Sequence, residues 1–209
     1  TLCNFHVSIR PRTDGKPIKS KSRSEVLTFN SGGSGARPSS DGLNATAFPS
    51  GVMTMPIEAT EHTGPIIIWR KELRPDSGGF GKYRGGLGQF MEVGVAKGYE
   101  FDFQAMFDRV DYPARGKHGG GNGSPTKIQQ DDGTKMKGKG KQFVPQNRRV
   151  MLAFPGGGGY GRAQERDKSL VKHDLALGYI SKESAKRNFN LSSADIKKVL
   201  SLLKKGKIN

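Results

Sequence analysis

The sequence predicts a mainly β fold with glycine-rich loops and a C-terminal helical segment, α+β overall. Short runs of alternating apolar and polar residues recur through the first part of the chain. Glycine, 30 of 209 residues, gathers in clusters between those runs. Helical periodicity with capping residues appears only near the end. The expected division is a β-rich region over 1–161, with a long irregular loop at 108–147, and a helical segment over 162–209.

The strands read in order. Residues 5–10 (FHVSIR) and 25–29 (EVLTF) alternate, and the basic, polar stretch 11–24 between them fits a hairpin or a pair of Lys-protected edge strands. Residues 66–69 open an apolar run that Arg74 closes, and residues 89–95 return after a long glycine-rich turn. Residues 99–107 (YEFDFQAMF) place Tyr99, Phe101 and Phe103 toward a core, with Glu100, Asp102 and Gln104 outward. Residues 148–154 form another strand. The helical part begins near Glu165, with Leu170, Val171 and Leu175 on one face and Gly178 as the expected cap. Ser181 caps a helix to about Asn188. Ser192 and Asp195 resemble a capping box ahead of Ile196, Val199, Leu200 and Leu203, and Lys204, Lys205 and Lys207 suit the helix C-terminus.

Composition narrows the function classes. The formal net charge is +16, which raises polyanionic partners first. Residues 31–99, however, carry seven basic and six acidic side chains, whereas 151–209 carry twelve and five, so the surplus lies in the flanks. Aromatic residues are sparse near the basic runs, and nucleic acid is not the expected partner. The KMKGKGK run (135–141) suits phosphates or, more commonly, a solvated surface. No apolar run approaches the ~20 residues of a membrane span. Cys3 is the single cysteine, which fits a reducing, cytoplasmic setting. The chain opens at Thr1, as expected of a fragment, a processed chain or part of a longer protein.

Chemistry concentrates in the glycine clusters. The first, GGSGARPSSDG (32–42), has the composition of an anion-binding nest but lacks the following Lys-Ser or Lys-Thr of a P-loop. Arg37 and Asp41 within it look like an internal pair. The second, in ELRPDSGGFGKYRGGLG (72–88), embeds Arg74, Asp76 and Arg84 among glycines, where guanidinium and carboxylate groups suit bidentate pairing that shapes a loop. In the third, PGGGGYG, Gly156, Gly158 and Gly161 satisfy G-x-G-x-x-G after a strand. No second parallel strand with a ribose-binding acid follows, so a close-approach turn at the base of a helix is the better account than a dinucleotide site. Glu58, Glu61 and His62 lack HExxH spacing, and His6, His62, His118 and His173 are scattered, so no metal set is assigned.

The three clusters, with Glu165-Arg166-Asp167 and Gly178-Tyr179-Ile180-Ser181 after them, resemble the C-terminal part of the hydantoinase B/oxoprolinase family over roughly residues 28–189. The resemblance implies a subunit that works with a hydantoinase A-like ATP-binding subunit or domain in a hetero-oligomer. ATP and Mg would sit on that partner, and any catalytic metal is unassigned. The implied reaction is ATP-driven hydrolysis of cyclic amides such as hydantoins or 5-oxoproline, or carboxylation of ketones such as acetone or acetophenone in a related branch. Phosphorylation of the amide or enolate would supply the better leaving group or trapped enol. Members are usually longer, with most of the difference before the first glycine motif, so the chain alone is not expected to turn over. No catalytic residue is assigned. The substrate-contacting or loop-organising candidates are Arg37, Asp41, Glu58, Arg74, Asp76 and Arg84, with Gly156, Gly158 and Gly161 as glycine-loop candidates. A basic polyanion-binding module and a purely structural assembly subunit are the competing classes.

Overall fold

In the computed structural model, which describes residues 3–13, 16–17, 23–46 and 55–204, two antiparallel sheets pack face to face. The first holds β1 (Cys3–Thr13), β3 (Ser24–Thr28), β6 (Tyr99–Phe107) and β8 (Lys139–Val144) in the order β3–β1–β6–β8. A two-residue strand, β2 (Lys16–Pro17), folds back on the end of β1. The second sheet runs β4 (Ile66–Leu73), β5 (Gln89–Val95), β9 (Val150–Ala153) and β7 (Lys127–Gln130).

The alternating runs supply the core. Cys3, Phe5, Val7 and Ile9 meet Phe101, Phe103, Ala105 and Phe107 on one sheet; Ile66, Ile68, Met91, Val93, Val150 and Leu152 face them from the other. Phe5 stacks on Phe103 at 5.0 Å, and Phe107 reaches Phe154 across the sheets at 5.9 Å. Burial pushes the Cys3 thiol up to about 12, so it is a small core residue and not a reactive one. Tyr99 packs at the margin of this core.

Several expectations need correction. Loop 108–147 contains two strands, β7 and β8. Both are edges, and β8 (KGKQFV) exposes most of its length, so Lys and Gly take the places where an apolar alternation would have marked it. Glu100 and Asp102 do point away from the core, but they are buried beneath Arg10, Arg12 and Lys141. At Trp69 the register of β4 slips against β5, a bulge that leaves the indole exposed. The tip of the basic hairpin, at 14–15 and 18–22, and Lys205 and Lys207 lie outside the described residues.

The helices form a second core. A 3₁₀ turn (Ala163–Glu165) precedes α2 (Lys168–Ala176), α3 (Lys182–Phe189) and α4 (Ser193–Lys204); a one-turn helix, α1 (Ile57–Glu61), lies earlier in the chain. Val171, Leu175, Ile180, Phe189, Ile196 and Val199 pack together, whereas Leu170 is largely exposed. Gly178 at φ +70° lets the Gly178 and Tyr179 N–H groups return to the Leu175 and Asp174 carbonyls, which closes α2. Ser181 caps α3, and Ser192 accepts from the Asp195 N–H while donating to its carboxylate.

Between the two cores lies the feature that decides the architecture. The strand pairing places the ends of β3, β4, β6 and β9, and the start of β5, at one end of the sandwich. From there the segments 32–36, 77–88, 114–124 and 155–161 run out side by side and hydrogen-bond to one another; 114–124 turns back at His118 and Gly119, and 77–88 closes on itself through Gly85 N–H to Gly79 O. Gly33 N–H donates to Pro155 O (2.9 Å), Gly79 N–H to Gly157 O (2.8 Å), Gly157 N–H to Gly86 O (2.9 Å) and Gly159 N–H to Gly121 O (2.9 Å). A Cβ on Gly156 would stand 1.8 Å from Ser77 O, on Gly157 1.7 Å from Ser34 O, on Gly158 2.2 Å from Arg115 O, and on Gly159 2.1 Å from Phe80 O. Positions 156 and 159 thus face one neighbouring segment, and 157 and 158 face two others. This three-residue rotation in a crowded bundle is the physical situation that makes collagen require glycine. The reading of 155–161 as a close-approach turn is therefore corrected: it is the central rod of a glycine bundle, and the turn is confined to Gly161 at φ +73°.

In a urea titration, Gly157→Ala is expected to cost more than about 4 kcal/mol, because two backbones must separate. Gly35→Ala, whose added Cβ would find its nearest neighbour at 4.0 Å, should remain within about 0.5 kcal/mol of the parent in the same measurement.

Candidate functional site

The charged residues of the glycine segments work at the seam between bundle and helices. Arg166, wholly buried, forks onto Asp41 with two bonds of 2.7 Å and reaches Asp174 with a third of 2.7 Å. Arg84 donates its backbone N–H to Asp41 (2.7 Å), its Nε to Asp174 (3.3 Å), and Nη1 to Gly85 O (2.8 Å) and Asn44 (3.3 Å); its guanidinium lies 5.3 Å from the Tyr179 ring. Two carboxylates and two guanidiniums thus neutralise one another, with Arg166, Arg84 and Asp174 buried and Asp41 partly exposed at the edge of the set. Removing one partner of such a set leaves an uncompensated buried charge and typically costs about 3–5 kcal/mol.

Burial pushes the Asp41 carboxyl up, but the Arg166 fork and the Arg84 N–H outweigh burial and hold its pKa below the ordinary carboxylate value. Burial likewise opposes the charge on Arg166, yet Asp41 and Asp174 leave its pKa raised.

The other candidates separate. Arg74 meets no carboxylate among the described residues; its Nη1 binds the Pro125 (2.8 Å), Phe154 (3.0 Å) and Ala153 (3.4 Å) carbonyls, and desolvation lowers its pKa. Asp76, at φ +56°, accepts from the Ser181 N–H (2.9 Å) and donates its own N–H to Tyr179 O (3.0 Å), so it ties the start of α3 to the bundle. Arg37 is exposed in a turn closed by its own backbone on Ser40, and the expected Arg37–Asp41 pair does not form: Asp41 takes Arg166 instead, 125 residues away. Glu58 is exposed on α1. Beside it Glu61 accepts from the Ile68 N–H, and no three His, Cys, Asp or Glu gather to hold a metal among the described residues. Arg166, Asp174 and Asn44 escape sequence reasoning as site residues. The ERD triplet at 165–167 is the available signal for the first, and Asp174 is hidden within an ordinary helical face.

The third glycine motif commits most of its N–H groups to the fold. The N–H groups of Gly156, Gly157, Gly159 and Gly161 all donate to protein carbonyls. Next to them Asp76, Arg84, Asn122, Ser181, Glu183 and Arg187 line a polar cleft of about 380 Å³. It holds hydrogen-bonding groups of both signs but no histidine or cysteine. It is equipped to recognise a polar group.

The family model described as Hydantoinase B/oxoprolinase matches residues 1–163. The uncharacterized protein MJ0963 of Methanocaldococcus jannaschii is 34% identical over 66% of this chain and 25% of its own length. The putative B-type subunit of a D-/L-hydantoinase from a Pseudomonas species is 29% identical over 80% of this chain and 29% of its own. The crystal structure of the ATP-dependent caprolactamase from Pseudomonas jessenii superposes with a TM-score of 0.70 at 22% identity, over 94% of this chain and 37% of that one, a likeness of fold. The chain spans between a quarter and a third of the length of these two curated relatives.

The lowered Asp41 pKa fixes the sign of an acid effect. Asp41 contributes its full stability above the unfolded carboxylate value of about 3.9 and loses it as the pH falls through the lower folded value. Chemical denaturation between pH 5 and 2 should show this loss. Asp41→Asn should be less stable at pH 6 and should show a shallower decline on acidification.

Proposed function

The chain belongs to the hydantoinase B/oxoprolinase family, and from that premise we propose that it is part of a hydantoinase B-like subunit of an ATP-dependent cyclic-amide hydrolase. The observation that carries this is the family match over residues 1–163, which takes in all three glycine motifs. Two of the relatives described above have names that refer to cyclic amides, a hydantoin and a caprolactam. ATP and Mg are assigned to a hydantoinase A-like partner; in line with this, four of the five glycine N–H groups of the third motif, those of Gly156, Gly157, Gly159 and Gly161, are committed to protein carbonyls. The contribution of this chain is to hold shape. The glycine bundle fixes the 77–88 segment, the Arg166–Asp41–Asp174–Arg84 set fixes the helices against it, and the cleft at Asp76 and Ser181 is held between them. Such a fixed arrangement suits the positioning of a partner or a polar substrate group. By itself the chain is inactive in this reading.

The test is to purify the intact subunit alone and with a hydantoinase A-like subunit, and to measure ADP release with hydantoin, 5-oxoproline and caprolactam. The expected result is no turnover by either subunit alone. In the complex, one cyclic amide should stimulate ADP release at least tenfold, with ring-opened acid formed alongside ADP. Stimulation only by acetone or acetophenone with bicarbonate would move the protein to the carboxylase branch. Absence of any complex, or of any substrate-stimulated ATP cleavage, would overturn the proposal.

A further inference from the structure

A second cleft, of about 330 Å³, opens on the glycine bundle between the first glycine segment and the chain that follows β6. Ser34, Gly35, Arg109, Arg115, Gly157 and Gly158 line it, and no acidic residue does. Many arginines elsewhere in this protein are already paired: Arg10, Arg12, Arg70, Arg84, Arg148, Arg149 and Arg166 all meet carboxylates. Arg109 and Arg115 have no ion pair and no side-chain hydrogen bond to protein among the described residues. The backbone repeats the pattern. Gly157 N–H is taken by Gly86 O, but the N–H groups of Gly35 and Gly158 donate to no protein acceptor among the described residues. Ser34 Oγ accepts from the Leu43 N–H, which leaves its hydroxyl proton to give. Arg109 is also held at φ +60°, a region that side chains other than Asn, Asp and Gly rarely adopt, with its carbonyl fixed by the Thr126 N–H at 2.8 Å.

We propose that this cleft binds a phosphate group. The donors come from separate chain segments: two guanidiniums without counter-charges, a hydroxyl, and two free glycine N–H groups. A tetrahedral dianion presents oxygen acceptors in several directions and suits such a set, whereas a planar carboxylate is satisfied by a single arginine fork. The absence of acidic residues removes the internal competitor that Arg84 and Arg166 meet in Asp174 and Asp41. The floor of glycine backbone lets the anion approach main-chain N–H groups directly, because no Cβ stands in the way. The volume admits a phosphate with a small organic substituent. The phosphate is either a free ion or the head of a small phosphate ester. The proposal is independent of the cyclic-amide reading, since binding is read without a partner subunit or ATP.

The test is calorimetric titration of the intact subunit with inorganic phosphate, methyl phosphate and succinate at constant ionic strength. Three single variants accompany it. Arg115→Ala removes an exposed guanidinium, Arg109→Asn keeps a residue tolerant of positive φ, and Arg148→Ala removes one charge at a distant ion pair. Saturable phosphate binding is expected, weakened at least tenfold by Arg115→Ala and by Arg109→Asn, and by less than twofold by Arg148→Ala. Tighter binding of methyl phosphate assigns an ester, and tighter binding of inorganic phosphate assigns the free ion; both support the site. No saturable binding, equal weakening by Arg148→Ala, or succinate binding as tightly as phosphate would each overturn it.

Discussion

Everything in this molecule is arranged around a contact between bare backbones. Four consecutive glycines, 156–159, lie against the main chains of Ser77, Ser34, Arg115 and Phe80, at separations no Cβ would permit. The contact is dense because it is also hydrogen-bonded. Carbonyl and N–H groups that a loop would leave to water are satisfied by the neighbouring chain, as the near-complete pairing of buried backbone groups requires. Gly-rich segments are usually costly to order, since glycine loses more conformational freedom than any other residue. Here the loss is offset by pairing on several sides of one rod, and by anchoring each segment in a strand of the sandwich.

The charged residues then follow from the bundle. A packing built of backbone has few side chains with which to hold a neighbour, so the helices are attached by guanidinium forks and by main-chain bonds. Arg166 and Arg84 grip Asp41 and Asp174, and Asp76 holds the N–H of Ser181. Arg74 plays the matching part on the sandwich side, where it collects three carbonyl oxygens at the point where β9 gives way to the glycine rod. These contacts specify the geometry sharply because each has a direction. They are also vulnerable, since loss of a single partner strands a buried charge.

The sequence disclosed elements whose local pattern coincides with their packing. β1, β5 and β6 alternate cleanly, so their inward faces could be read from Phe5, Val7, Met91, Val93, Phe101 and Phe103. The caps Gly178, Ser181 and Ser192 were equally legible, because each acts on backbone within a few residues. The two edge strands β7 and β8 were not, since Lys139 and Lys141 serve solubility where an apolar residue would have signalled a strand. The site was legible only in part. The fixed charges among the glycines marked Asp41, Arg74, Asp76 and Arg84, but their partners are set by tertiary folding. Nothing local joins Asp41 to Arg166 or Arg84 to Asp174. The glycine clusters read as loops because each segment carries only its own quarter of the bundle.

The central claim is that the glycine segments form a rigid, interlocked scaffold and not mobile ligand-binding loops. Amide hydrogen exchange resolved to single residues tests it most directly. The account predicts that the amides of Gly156, Gly157 and Gly159 exchange as slowly as those of Met91 and Val93 in β5, and only through global unfolding. Fast exchange at these glycines while the β5 amides remain protected would contradict it.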